Sequence, residues 1–381
     1  MEKRLYNATD RQTDRQTDRQ TDRQTDRQTD RQTDRQRNIS IDLLKIVSML
    51  MVVALHITSH GIRNAEIFNF SIPYWFVAII NSLSLVAVNC YVLISGYFLS
   101  QSKVSYKRIV SLWIQVFTYS VGIYAVLCLS ASSNVRFSIR GILEHCMPLL
   151  TNQYWFFKYY VLLVILAPFL NQWIAVLDKK QYEHMLMTCA VLFSVIPSIN
   201  VFGDTFGVAS GYSLIWFVVL YLTAGYLRKY PLSKGHWLLM YLGCSGAILL
   251  TRVCGTVFGG VVDTAAILQR NYNSPLVFLA SIFLFLAALT TPTSFGIKAD
   301  AGIGRISGLS FAVYLLHDHG TLSAILWNDW VNLAQCTHDA GAFIARAVCS
   351  WAAIFLCGIL VEFVRHTIYT TINNCFVGKH R

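Results

Sequence analysis

The chain has 381 residues, 55% of them hydrophobic and only 13% charged, with 31 Lys and Arg against 20 Asp and Glu. Soluble globular chains carry about 25% charged residues and about 45–50% apolar ones, so a soluble two-domain enzyme, a disordered chain and a nucleic-acid-binding domain all fit badly. The basic excess reads first as membrane topology.

Residues 1–37 stand apart, with 10 basic and 8 acidic side chains and almost nothing apolar. From Asp10 the tetrapeptide Asp-Arg-Gln-Thr runs six full times, and a seventh copy begins at Asp34 and breaks at Arg37. It offers no face to bury, so a solvated, disordered tail preceding a membrane domain at 38–381 is the expectation. It lacks the apolar stretch and cleavage site of a secretory signal. The four residues can also be read as GAC-AGA-CAG-ACA, three copies of GACA, and loss of one such unit would shift the reading frame. The tail therefore reads as the by-product of an on/off switch in the DNA, as in genes that vary bacterial surface structures.

About 30 Å of hydrocarbon needs about 20 helical residues. Ten stretches qualify, at roughly 39–58, 74–98, 109–130, 154–177, 184–201, 212–228, 236–255, 276–291, 305–326 and 342–364, the fifth being the weakest. The predicted fold is an all-α polytopic membrane protein. With the N-terminus inside, the inner loops and C-terminal tail hold 13 Lys and Arg, among them Lys103, Lys107, Arg108, Arg228, Lys229, Lys379 and Arg381. The outer loops hold five: Arg63, Arg136, Arg140, Arg252 and Arg270. This bias places both ends in the cytoplasm. Ten cysteines, such as Cys128, Cys189, Cys244, Cys349 and Cys357, lie scattered with no Cys-x-x-Cys pair, and read as small apolar helix residues.

Ionisable groups within spans cost about 2.5–3.5 kcal/mol each on insertion scales and mark function by default. In the first span Lys45 and His56 lie 11 residues apart, on one face and about 16 Å apart along the axis. Asp42, one turn before Lys45, can neutralise it. The plainer alternative is that Lys45 and His56 snorkel to opposite headgroup layers. In the ninth span Ser307, Ser310, Tyr314, His317 and Thr321 recur at spacings of three and four and form a second polar stripe, followed by Asp318 and His319. A His317-x-His319 pair lacks further ligands at diagnostic spacing, so no metal is expected. The fourth span opens with Tyr154-Trp155-Phe156-Phe157-Lys158, where Lys158 sits one turn inside and could meet an anion or acyl oxygen. Glu362 and Arg365, one turn apart, read as a local ion pair. Glu144 and His145, in the outer segment 131–153, are candidate acceptor contacts. A Gly-x-Ser-x-Gly elbow, a phosphate loop, His-Glu-x-x-His and Gly-x-Gly-x-x-Gly after a strand are all absent.

Ile41, Asp42, Leu44, Lys45 and His56 resemble the first span of the acyltransferase-3 family of integral membrane O-acyltransferases, where the basic residue is more usually Arg. Asn89–Phe98 resembles that family's second span ending in Ser-Gly-Tyr/Phe. Trp155-Phe156 through Pro168-Phe169-Leu170 resembles its Trp-Phe span, and Ser310 to His317 its late Ser…Tyr-Leu-x-His segment. The resemblance covers residues 38–365.

It implies a bacterial inner-membrane enzyme moving an acetyl group from cytoplasmic acetyl-CoA to a sugar hydroxyl of a surface polysaccharide or lipopolysaccharide. On that reading Lys45, with Asp42, binds a CoA phosphate, as a point charge rather than a bidentate clamp. His56 and His317 are the catalytic candidates, for general-base activation or transient acyl carriage, and Trp155, Lys158 and Tyr314 contact substrate. The expected partners are the bilayer, acetyl-CoA and a glycan or lipid-linked glycan. The rival reading is a transporter of lipid-linked saccharides, whose usual internal repeats are not seen between the halves.

Overall fold

The computed structural model describes residues 38–63, 65–102, 106–130, 135–151, 153–199, 204, 206–258 and 271–377. The tetrapeptide tail, Lys103, Arg270, Lys379 and Arg381 lie outside the described residues, as do the side chains of Lys107 and Arg108. Among the described residues the regular elements are helices: α1 (Ile39–Ile57), α2 (Ile72–Ser84), α3 (Ala87–Leu99), α4 (Tyr106–Leu129), α5 (Ile139–Cys146), α6 (Trp155–Val176), α7 (Lys179–Ile199), α8 (Leu214–Lys229), α9 (Trp237–Phe258), α10 (Pro275–Thr290), α11 (Ile297–Leu309), α12 (Phe311–His317), α13 (Leu322–Ile325) and α14 (Ala340–Val377). Seven stretches are long and apolar enough to cross a bilayer, namely α1, α2 with α3, α4, α6, α7, α9 and α14. The shorter α8 and α10 and the pair α11–α12 occupy the remaining predicted spans. The chain is a multi-pass, all-helical membrane protein.

Local sequence sets the helix starts. Ser71, Ser213 and Ser274 cap α2, α8 and α10 through their hydroxyls, with Pro in the first turn of α2 and α10. Asp178 and Gln181 form a reciprocal capping box on α7. At the other end of α6, Lys229 Nζ donates to the carbonyls of Ile174 (2.9 Å) and Leu177 (2.8 Å), placing a cation on exposed helix-end oxygens.

Two predicted spans are interrupted. The second bends between α2 and α3 at Leu85–Val86. The ninth begins earlier than 305, at Ile297, breaks at Ser310 and ends at His317. Ser310 Oγ bonds the Ser307 carbonyl (2.9 Å), a local bond that competes with the helical ladder. Thr321 consequently leaves the stripe predicted for it and meets His145 Nε2 instead (3.2 Å).

Outward faces are apolar: Leu238, Leu239 and Leu250 on α9, and Leu356, Leu360 and Phe363 on α14 are exposed. Polar groups are turned inward. Asn89 donates to the Tyr272 carbonyl (2.8 Å) and Ser281 Oγ (3.1 Å) and accepts from Trp216 Nε1 (3.1 Å), tying α3, α8 and α10. Glu362 on α14 accepts from Gln115 (2.9 Å) and Tyr119 (3.0 Å) on α4, and from Arg365 through two bonds of 2.7 Å. The predicted ion pair is thus also a clasp between α4 and α14. Glu362→Leu strips three partners at once and should cost about 1–3 kcal/mol, read as a lower unfolding midpoint of the purified protein.

Helix contacts are close where glycine permits. A Cβ on Gly358 of α14 would stand 2.8 Å from Val313 Cα on α12, and one on Gly96 of α3 would stand 3.0 Å from Tyr221 Cα on α8. Gly358→Val should therefore push α14 off α12, at about 1–3 kcal/mol for overpacking, again measured as thermal stability in detergent.

Candidate active site

α1 and α11–α12 bring the two predicted polar stripes together. At the end where α1 begins, Ser307 Oγ donates to the buried Asp42 Oδ1 (2.7 Å), and Lys45 Nζ lies 3.9 Å from the same oxygen. The Lys45 side chain keeps a third of its surface exposed, so it can reach a ligand while Asp42 stays fixed. One turn on, Tyr91 from α3 donates to the Lys45 carbonyl (2.9 Å) and touches Ser310 Oγ (3.4 Å).

At the far end of α1, His56 and His317 meet with ring centroids 4.9 Å apart and planes at 68°. His317 Nδ1 bonds the Val313 carbonyl at 2.6 Å, so Nδ1 carries the proton and Nε2 the lone pair. That Nε2 is buried without a hydrogen-bond partner, as are His56 Nδ1, Tyr314 Oη and Trp327 Nε1. Their rings neighbour one another, Trp327 lying 6.1 Å from each histidine and Tyr314 lying 6.3 Å from His317. Buried polar atoms are normally satisfied, so four orphans in one cluster point to a place built for a polar ligand.

Asp318 Oδ1 stands 3.9 Å from His56 Nδ1. This is beyond hydrogen-bond length but within a side-chain rotation of it, as catalytic pairs without substrate often are. An Asp318–His56 bond would fix the proton on Nδ1 and leave Nε2 as the base.

His60, one turn past His56, completes the group at 5.0 Å. It accepts from Arg63 at 2.9 Å on Nδ1, and burial together with the Arg63 charge holds its pKa below the ordinary 6.5. Asp318, His60 and Trp327 had no assigned role in the sequence. His60 was legible as the residue four after His56. Trp327 arrives from a separate helical turn and left no local signal.

Two cavities flank the histidines. The first, about 30 Å³, is lined by His56, Met49, Val52, Tyr91, Trp155 and Tyr314, with Phe156 and Tyr272. It follows the His56 face of α1 back to within one turn of Lys45. The second, about 740 Å³, is lined by His317, Gly122, Val126, Leu326, Ile354 and Arg365 and opens between α4, α12 and α14. The first is small, so a chain-like ligand would enter it only as Tyr91, Phe156 or Tyr314 swing aside.

Other candidates take different places. Trp155 and Tyr314 line the first cavity. Lys158 folds over the Tyr159 ring, 4.6 Å from its centre, and is not among the lining residues. His145 is stacked between Tyr124 and His319 and bonded to the Gly141 carbonyl (2.7 Å) and Thr321. Glu144 pairs with Arg140 on its own helix. His319 bonds the Ser120 carbonyl (3.1 Å) and accepts from the N–H groups of Thr321 and Leu322, so it diverges from His317. Among the described residues no three or more His, Cys, Asp and Glu side chains are grouped to hold a metal ion.

A comparison with known families matches residues 38–363 to the acyltransferase domain of the acyltransferase-3 family. No curated protein and no solved structure matches the chain. The match takes in both helices that carry the histidines and the whole of the Asp42–Lys45 pair, and on it the chain belongs to the acyltransferase-3 family of membrane acyltransferases.

Proposed function

We propose that the protein transfers an acetyl group from cytoplasmic acetyl-CoA to a sugar hydroxyl of a bacterial surface polysaccharide or lipopolysaccharide, in the inner membrane. The observation that carries this reading is the His56–His317 pair, with its unpartnered nitrogens, at one end of a helix face that holds Asp42 and Lys45 at the other. Lys45 binds a phosphate of the donor, and the pantetheine arm runs along the Met49–Val52 face of α1 and brings its thioester to His56. His56 Nε2 takes the proton of the sugar hydroxyl as its oxygen attacks the thioester carbonyl. The C–S bond then breaks and the imidazolium hands its proton to the departing thiolate, giving the O-acetyl ester, the CoA thiol and neutral His56. Asp318 stabilises the imidazolium between these steps, the His317 Nε2 lone pair accepts from a sugar hydroxyl and orients it, and the Tyr314 hydroxyl donates to the carbonyl oxygen as it gains charge.

The test compares ester-linked acetate on glycan from cells carrying the wild-type gene or the His56→Ala variant, with protein abundance checked. Acetate present in the first and lost in the second is expected. Export failing in the variant with no acetate in either strain would make the protein a transporter. We also propose that the Asp-Arg-Gln-Thr tail records a slipping tetranucleotide tract. Uniform GACA codons across the repeat, and clones differing in repeat number and acetylation, are the expected result; mixed codons would end the idea.

A further inference from the structure

Three aromatic rings meet at the edge of the His56 cavity, and of these only Trp155 has been given a part so far, as a substrate contact. Trp155 and Tyr272 line the cavity together with His56 and lie nearly parallel, 15° apart with centroids 6.1 Å from each other. Tyr212, from the segment before α8, leans on both, 4.5 Å from Trp155 and 4.9 Å from Tyr272, at 53° and 50°.

The two kinds of ring are held differently. Trp155 opens a 22-residue helix. Tyr272 is fixed through its backbone, its carbonyl accepting from Asn89 (2.8 Å) and its N–H donating to the Ser210 carbonyl (3.1 Å). Tyr212 is exposed and follows a segment in which Phe206, Gly207, Ala209, Ser210 and Gly211 all have positive φ. Three of these are not glycine, and such residues keep that conformation only where the surroundings impose it, as in tight turns, ligand clamps and switch segments. Gly211 is required here, because a Cβ on it would fall 2.7 Å from Tyr272 Cβ.

We propose that the place now filled by the Tyr212 ring is the acceptor subsite, and that a pyranose ring takes it when Tyr212 swings out. The inference rests on the acyl-transfer reading for the class of ligand. A pyranose and a phenol ring are both six-membered and similar in thickness. An aromatic face is electron-rich and attracts the partly positive C–H face of a sugar, while the hydroxyls at the sugar's rim stay free. Because this seat borders the His56 cavity, one rim hydroxyl faces the imidazole. Gln153 offers a second fixing point: its Oε1 is buried without a hydrogen-bond partner and would lie 3.6 Å from a Cβ on Gly320, two residues beyond Asp318.

The experiment measures equilibrium binding of glycan to the purified full-length protein, without acetyl-CoA. The glycan is taken from cells lacking the gene and de-esterified with mild base. Trp155→Leu and Tyr272→Leu should each weaken binding at least about ten-fold, Trp155→Phe should bind within about three-fold of wild type, and Tyr212→Gly should bind more tightly, since it removes a competing ring and enlarges the fraction of open protein. Leucine variants that bind like wild type overturn the proposal. So does Trp155→Phe falling as far as Trp155→Leu, because the loss would then come from the fold and not from a missing face. Tyr212→Gly weakening binding would show that the ring belongs to the platform and does not stand in for the ligand. A protein that binds glycan through these rings yet never acetylates it would overturn the acyl-transfer reading alone.

Discussion

His56→Gln is expected to lower acetyl transfer to glycan by about 10²–10⁴-fold, the range for loss of a general base, or about 2.7–5.4 kcal/mol of transition-state stabilisation. Glutamine keeps the bulk and one hydrogen-bonding atom of the imidazole but has no lone pair able to take a proton at neutral pH. His56 packs edge-on against His60, His317 and Trp327, so abundance and thermal midpoint must be measured beside the rate. His317→Gln should also fall, and the double variant should fall little further, because residues that act as a unit are strongly non-additive. Glycan from His56→Gln cells that keeps more than half of its acetate would remove His56 from the chemistry.

Lys45→Ala should raise the KM for acetyl-CoA about ten- to a hundred-fold and leave kcat nearly unchanged. The side chain is a third exposed and leans on an Asp42 that Ser307 already holds, so on the proposed reading its loss acts chiefly on the donor. Hydrogen bonds to charged groups contribute about 1.5–3 kcal/mol, which sets the range. A contact made equally before and at the transition state appears in KM alone. Lys45→Arg should restore affinity or improve on it through bidentate phosphate binding, and added salt should narrow the gap between wild type and Lys45→Ala. A KM indifferent to Lys45→Ala would place the donor elsewhere.

Much of the scaffold was legible because hydropathy over about 20 residues reports on lipid contact directly. All ten stretches are helical, and the alignment of Lys45 with His56 follows from helix periodicity alone. What the spacing could not give lies where tertiary contacts decide. Thr321 obeys the spacing of its stripe, but the Ser310 break and the turn at Asp318–Gly320 end the helix before it. Lys158 is placed by its attraction to Tyr159, and His145 by the rings of Tyr124 and His319. The meeting of His56 with His317 joins residues 261 apart, so each stripe could be read in the sequence while their convergence could not.

The slimness of the passage beside α1 bears on the host cell as well as on the reaction. On the proposed reading, a channel standing open from Lys45 to His56 would also offer ions a route through the bundle. Tyr91, Phe156 and Tyr314 are among the residues around a cavity of only about 30 Å³ beside His56, so the path proposed for the donor is narrow where those rings stand. Only an arriving thioester, which plugs the gap as it makes it, would part those rings.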